Sequence, residues 1–193
     1  MTLSALGIFS AAGAGVVSAG SYDLIETYTL GSSQASIVFS SLGTYSSTYK
    51  HLQVRAVSRT DRASNYADSV RLRLNGSTST LYARHQLEGD NSGVYSGGIG
   101  DVDSMFTLGW AGGALETNSF GASIFDLLDP YSTTKFKTAR GFAGVFGIAT
   151  GGNNNIKLTS GLWRSTDSVT SITLTATNSF QSGSRFSLYG IKG

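Results

Sequence analysis

Short segments in which apolar and polar side chains alternate recur along this chain, and they constrain its fold more than any other feature of the sequence. The clearest case is residues 183–193 (GSRFSLYGIKG), where two glycines enclose a run that places Phe186 and Leu188 on one side and polar side chains on the other. A period of two residues is typical of a half-buried β-strand. Because a terminal strand frays unless neighbours hold it, we expect residues 185–191 to insert between strands formed by earlier parts of the chain.

The same alternation predicts further strands at short intervals. They cover residues 22–30, 35–40, 50–59, 68–74, 81–87, 104–110, 120–128, 139–148, 156–164 and 169–176. Asn75-Gly76 predicts a tight hairpin, with residues 81–87 returning antiparallel beside residues 68–74, because Asn-Gly readily adopts the positive φ angles of a type I′ turn. Residues 88–100 (EGDNSGVYSGGIG) have the composition of a loop. Many short strands without helical periodicity predict an all-β domain over residues 21–193, a jelly-roll-like antiparallel β-sandwich.

The composition agrees with a β-rich, lightly charged domain. The 193 residues include 25 glycines, one proline and only 13% charged residues, so Ser, Thr and Gly take the place of the usual charged surface. A formal net charge of +2 provides no electrostatic field that would indicate a nucleic-acid partner. The absence of cysteine excludes disulfides and thiolate metal sites. A weakly charged surface tolerates close protein neighbours and favours an assembled state.

Residues 1–20 (MTLSALGIFSAAGAGVVSAG) carry no charged side chain and form a distinct segment. The first basic residue of the chain is Lys50, which argues against a secretory signal because such signals begin with positive charge. The Gly and Ser content makes membrane insertion marginal, and a disordered tail is a further alternative. We expect an assembly arm that packs on neighbouring subunits. Its apolar contacts would be Leu3, Leu6, Ile8, Phe9, Val16 and Val17.

A search for catalytic groups gives no convincing site. Both histidines, His51 and His85, fall within predicted strands, and no Gly-x-Ser-x-Gly nucleophile motif occurs. Asp126 and Asp129 flank a strand end, where alternation places them on opposite faces and a turn cap is the simpler interpretation. The sequence therefore predicts a protein that is not an enzyme, with no catalytic residue and no cofactor.

Two sets of residues are candidates for binding. Acidic residues between positions 88 and 103 could supply oxygen ligands to Ca²⁺, although their spacing matches no EF-hand loop and a solvated loop is the simpler interpretation, so we assign no metal site. The aromatic residues Trp110, Trp163 and Tyr95 are candidate glycan contacts, although Trp and Tyr also serve in cores and interfaces.

Four arginines on predicted neighbouring strands form a candidate interface. They are Arg55, Arg71, Arg73 and Arg84. Because like charges on adjacent strands repel one another, we expect this face to meet an acidic partner. The alternative is that the flanking residues Asp61, Asp68 and Glu88 neutralise the arginines.

Several segments together carry a family resemblance. They are residues 3–13 (LSALGIFSAAG), 49–55 (YKHLQVR), 74–76 (LNG), 82–85 (YARH), 124–129 (IFDLLD), 160–164 (SGLWR), 172–174 (ITL) and 183–193 (GSRFSLYGIKG). In these segments the chain resembles a small virion protein of tailed bacteriophages, notably phages of marine and freshwater bacteria. The resemblance implies a non-enzymatic structural protein located in the virion, and it carries over no functional residue.

These observations leave several functions open. The leading hypothesis is a tail or tail-fibre subunit that contacts other virion proteins through residues 1–20. We expect it to form a homo-oligomer, specifically a trimer, and to touch a glycan of the host surface. Neither nucleic acid nor a membrane is an expected partner. A capsid decoration protein is the alternative, and a carbohydrate-binding module that uses Trp110 or Trp163 is a further alternative from a different class. A glycan hydrolase is the weakest alternative, because no acid pair or triad can be named.

Overall fold

The computed structural model describes residues 21–63, 66–105, 107–110, 116–146 and 154–193, with only the backbone described for residues 107–110. These residues form two antiparallel sheets in a sandwich-like arrangement, which confirms the predicted fold class. The strands are β1 (Tyr22–Thr29), β2 (Gln34–Phe39), β3 (His51–Ser58), β4 (Ser69–Leu74), β5 (Tyr82–Asp90), β6 (Val94–Val102), β7 (Thr107–Trp110), β8 (Gly121–Leu128), β9 (Lys137–Val145), β10 (Asn155–Trp163), β11 (Ile172–Phe180) and β12 (Arg185–Ile191). A 3-10 turn, Leu42–Tyr45, follows β2.

The larger sheet has eight strands in the order β1-β12-β3-β8-β9-β10-β5-β6, and the smaller sheet has the order β2-β11-β4-β7. Strand β12 lies between β1 and β3, with Tyr189 opposite both Leu24 and Gln53. The insertion predicted from the alternation in residues 185–191 is therefore confirmed.

The core lies between the two sheets and follows the alternation of the strands. Phe186 and Leu188 of β12 are fully buried, and the ring of Phe186 meets that of Phe180 edge-on, with centroids 4.8 Å apart. Phe39 and Phe125 add two more buried rings from opposite sheets. Burial of each such ring stabilises the fold by about 1.5–3 kcal/mol.

The chain leaves its sheet at Asn75-Gly76 instead of forming the predicted hairpin. Both residues have positive φ, at 53° and 64°, as expected, but β4 belongs to the smaller sheet and β5 to the larger one. Residues 77–81 separate the turn from β5 and carry the chain across the sandwich. The Tyr82 hydroxyl then accepts a hydrogen bond from the Leu74 amide at 3.0 Å, so the turn links two sheets.

The prediction of a loop over residues 88–100 is also wrong. Strand β5 continues to Asp90, and β6 pairs with it along the edge of the larger sheet. Asp90 closes the turn between them, because its Oδ1 accepts hydrogen bonds from the amides of Ser92 at 2.7 Å and Gly93 at 2.9 Å. An exposed edge strand needs little side-chain packing, and its glycine-rich composition therefore resembles that of a loop.

Candidate interaction surface

The outer face of the larger sheet, which the smaller sheet does not cover, carries a row of exposed apolar side chains. Strand pairing places Ile124 opposite Phe142, Phe142 opposite Leu158, and Leu158 opposite Leu87. These four side chains are between 44% and 53% exposed. Neighbouring strands lie about 4.8 Å apart, so the row is about 14 Å long.

A second row runs parallel to the first on the same face. Val57, Ile156 and Val94 are all exposed, and small residues occupy the intervening strands. Phe146, just after β9, is exposed as well. We call these eight residues the apolar outer face: Val57, Leu87, Val94, Ile124, Phe142, Phe146, Ile156 and Leu158. A contiguous apolar surface of this kind is typical of an interaction site.

Part of the apolar outer face exists because β10 reverses the usual orientation, with Asn155, Lys157 and Thr159 buried while Ile156 and Leu158 are exposed. Lys137 and Lys157 point inward and are 0% and 3% exposed, while Phe142 and Leu158 point outward. The Lys137 ammonium donates hydrogen bonds to the carbonyls of Ser132 at 2.7 Å and Lys135 at 3.0 Å. Lys157 Nζ lies 3.1 Å from Glu88 Oε2. These partners compensate the buried charges, so the apolar side chains are left on the solvent side.

An ordered polar network borders the apolar outer face. Gln53 donates from Nε2 to Asp126 Oδ1 at 2.7 Å and accepts at Oε1 from Arg55 Nε, also at 2.7 Å. Arg140 Nε donates to the second oxygen of Asp126 at 3.1 Å. The Arg55 guanidinium also lies over the rings of Tyr189 and Tyr22, with centroid distances of 4.5 Å and 5.2 Å. The network fixes the orientation of Arg55.

A concavity of about 500 Å³ lies where the network meets the apolar outer face. Val57, Ile124 and Phe142 supply apolar walls, while Arg55 and Arg185 supply positive charge. No carboxylate is among the described residues that line it. The concavity therefore combines apolar surface with positive charge that no lining group neutralises.

The acidic residues considered as Ca²⁺ ligands have separate protein partners. Glu88 pairs with Lys157, Asp101 with Arg164 and Asp103 with Arg73, while Asp90 closes the β5–β6 turn. Burial raises the pKa of Asp103, but hydrogen bonding and charge attraction from Arg73 outweigh it and hold that pKa below its usual value. Among the described residues, no group of three His, Asp or Glu side chains could hold a metal ion.

The residues considered for acid–base chemistry also have structural partners. His51 Nδ1 accepts a hydrogen bond from the Asp129 amide at 3.1 Å. The Asp129 carboxylate lies 3.0 Å from Lys135 Nζ and 3.2 Å from Lys50 Nζ, and hydrogen bonds from these lysines lower its pKa. Asp126 belongs to the Gln53–Arg140 network. His85 lies on the outer face, with its ring against Gly98.

The candidate glycan residues are not brought together as a platform. Trp163 is only 3% exposed and stacks on Tyr82 in the core, with ring centroids 5.9 Å apart. Its proposed contact with a sugar is therefore wrong, because position 163 has the inward phase of β10. Tyr95 is half exposed on β6, about 20 Å along the sheet from Trp163. Trp110 ends β7 opposite Ser69, and its side chain lies outside the described part of the structure.

The four candidate interface arginines divide into two locations. Arg73 pairs with Asp103. Burial lowers the pKa of Arg84, and the nearby positive charge of Arg71 lowers it further, while the negative charge of Asp103 acts in the opposite direction. Arg55 lies on β3, four strands away from Arg84 in the larger sheet. The prediction that the four arginines form one stripe is therefore wrong, because β4 and β5 belong to different sheets.

The arm residues, Leu3, Leu6, Ile8, Phe9, Val16 and Val17, lie outside the described residues. Within the described part, none of the helices has the length and apolar character required to span a membrane. No protein-family model matches the chain, and no curated protein sequence matches it significantly.

Sequence reasoning missed the apolar outer face and the concavity beside Arg55. A signal was present in NIKLTSGLW of β10, where Ile156 and Leu158 share one phase while Gly161 and Trp163 share the other. From the sequence alone, either set of side chains of β10 could face the core. The pairing of Lys157 with Glu88, which places Lys157 inside, is a tertiary contact that the local pattern does not show. The concavity depends on residues from β3, β8, β9 and β12, which no local pattern brings together.

Proposed function

We propose that this chain is a non-enzymatic structural subunit of a tailed-phage virion that buries its apolar outer face against neighbouring protein subunits. The observation that carries the proposal is the pair of apolar rows across the larger sheet. A stable assembly removes such a surface from water. The sequence resemblance described above is the reason for assigning the assembly to a virion.

The tail or its fibres are our first proposed location, and a decoration protein on the capsid is the second. Residues 1–20 are proposed as an arm that adds contacts to neighbouring subunits, because they carry no charged side chain. A homotrimer is the proposed oligomer, and light scattering of the purified chain measures its mass. A distal loop of the tail subunit is the proposed contact with a host glycan.

Immunogold labelling of purified particles of the encoding phage tests the location, with an antibody raised against residues 21–193. Gold on the tail supports the first location, and gold over the head supports the decoration protein. Absence of the chain from denatured particles contradicts the proposal in either form.

A substitution in the apolar outer face tests the proposed contact. In a phage that lacks the gene and receives it from a plasmid, Phe142→Ser should reduce incorporation into particles at least about tenfold, since it removes apolar contact area. Phe136→Ser is the matched control, because Phe136 is 52% exposed and Phe142 is 53% exposed, yet Phe136 lies outside the face. Equal incorporation of both variants contradicts the role of the face. Deletion of residues 1–20 should abolish incorporation while leaving a folded domain.

A further inference from the structure

We propose, on the basis of the function proposed above, that the concavity at Arg55 and Arg185 binds a carboxylate carried beside apolar side chains on a segment of a neighbouring protein chain. Both arginines line the concavity together with Val57, Ile124 and Phe142. A carboxylate next to apolar side chains matches this combination of positive charge and apolar surface.

Arg55 is held in place before any ligand binds. Its Nε donates to Gln53 Oε1 at 2.7 Å, and its guanidinium carbon lies 4.5 Å from the Tyr189 ring centroid. Its terminal nitrogens have no acceptor among the described residues, so they remain able to donate to a carboxylate. Because the side chain is already ordered, binding loses little conformational entropy.

The charge of Arg55 is not neutralised within the described structure. The nearest acidic group of the network, Asp126, is bound by Gln53 and Arg140, so the Gln53 amide stands between Asp126 and Arg55. Arg185 is exposed and makes no ion pair with a described carboxylate. Two unneutralised cations beside an apolar wall favour an acidic partner through charge complementarity.

The position of the concavity favours a protein segment as the occupant. Ile124 and Phe142 line it and also begin the first row of the apolar outer face. A subunit that covers the face therefore passes over the concavity and can place an acidic side chain in it. Residues 1–20 contain no acidic side chain, so the acidic group must come from another part of a neighbouring chain.

Two peptides that differ in one group test this site on the full chain. The probes are acetyl-Leu-Phe-Glu-Phe-Leu-amide and the same peptide with Gln in place of Glu, titrated with detection by nuclear magnetic resonance shifts. We expect the acidic peptide to bind about tenfold more tightly. Arg185→Gln, and its combination with Arg55→Gln, should reduce or remove that preference. Arg164→Gln is the control and should keep it, because Arg164 is paired with Asp101 and neither lines the concavity nor belongs to the Gln53–Arg140 network.

The outcomes of the peptide titrations distinguish the binding site, its occupant and the proposed virion function. Equal binding of the two peptides, or an unchanged preference in folded Arg185→Gln and double variants, overturns the site. Binding of decanoate with no binding of either peptide overturns the protein segment as the occupant. Because the peptides are tested without particles, failed immunogold labelling with an intact peptide preference refutes only the virion function.

Discussion

The backbone of Gly190 lies against the ring of Tyr49, so closely that a Cβ atom at position 190 would stand 2.2 Å from Tyr49 Cδ2. Gly190 belongs to β12, inside the larger sheet. The glycine of the closing sequence SLYGIKG therefore serves packing, since no larger residue fits under the Tyr49 ring.

Gly190→Ala should lower the free energy of unfolding by about 2 kcal/mol, because the added methyl group forces the Tyr49 ring or the strand to move. Urea denaturation followed by tryptophan fluorescence measures the change. Gly31→Ala is the matched control and should cost less than about 0.5 kcal/mol, because no atom of the described residues lies within 4 Å of a Cβ at position 31. Equal stability of Gly190→Ala and the parent protein contradicts the packing role.

Tyr131 should make the fold sensitive to alkaline pH. Burial, aided by Tyr45 and Tyr49, raises its pKa to about 12, above the value of about 10 for an exposed tyrosine. A pKa that is raised on folding gives stability that is complete below pH 10 and is lost as the pH rises towards 12. Tyr131→Phe should therefore lose about 1 kcal/mol less than the parent protein between pH 8 and pH 11.

Urea denaturation at both pH values measures the effect of Tyr131→Phe. The substitution should cost little at pH 8, because the buried Tyr131 hydroxyl has no hydrogen-bond partner among the described residues. Tyr95→Phe removes a hydroxyl from a half-exposed ring and is the control. An identical loss of stability in the parent protein and in Tyr131→Phe between the two pH values would refute the raised pKa of Tyr131.

Removing one partner of the ion pair between Glu88 and Lys157 should lower the stability of the fold strongly. Glu88→Gln leaves the Lys157 ammonium, which is 3% exposed, without its carboxylate at 3.1 Å. We expect a loss of about 3 kcal/mol in the free energy of unfolding. Arg140→Gln breaks a more exposed pair with Asp126 and should cost less than about 1 kcal/mol. Thermal denaturation compares the two variants, and a Glu88→Gln cost no larger than that of Arg140→Gln contradicts the prediction.

Asn75 should stabilise the crossing between the two sheets through its side chain. Its Oδ1 accepts hydrogen bonds from the amides of Thr170 at 2.8 Å and Ser171 at 3.3 Å, and its Nδ2 donates to the Ser168 carbonyl at 2.9 Å. Asn75→Gly tolerates the positive φ but loses these bonds, and should cost about 2 kcal/mol. Asn75→Ala adds backbone strain and should cost more. Equal unfolding midpoints for Asn75→Gly and the parent would show that the side chain is dispensable.

The sequence could predict the fold class and most of the strands, because alternation and turn chemistry are local. Residues 185–191 show this well, since the predicted range coincides with β12. The pairing of strands was harder to predict. Asn75 and Gly76 adopt the predicted positive φ angles, but whether the chain then turns back or crosses to the other sheet depends on packing across the sandwich.

The candidate interaction surface could not be predicted for the same reason. Alternation shows that Lys157 and Leu158 face opposite sides of β10, but the usual rule places the leucine inside. The rule fails because Lys157 finds Glu88 on a strand about 70 positions earlier in the sequence. Arg55 was recognised as a candidate interface residue, but its stacking on Tyr189 and Tyr22 requires three strands to be in register.

The position of β12 also determines when this domain can fold during translation. Strand β1 lies at the edge of the larger sheet and pairs there with β12, so β1 lacks this ladder partner until residues 185–191 leave the ribosome. Pairings between such distant positions give a high contact order and slow folding. A nascent chain therefore leaves β1 unpaired with β12 until synthesis passes residue 191, and a prematurely released chain offers a protease an incomplete sheet.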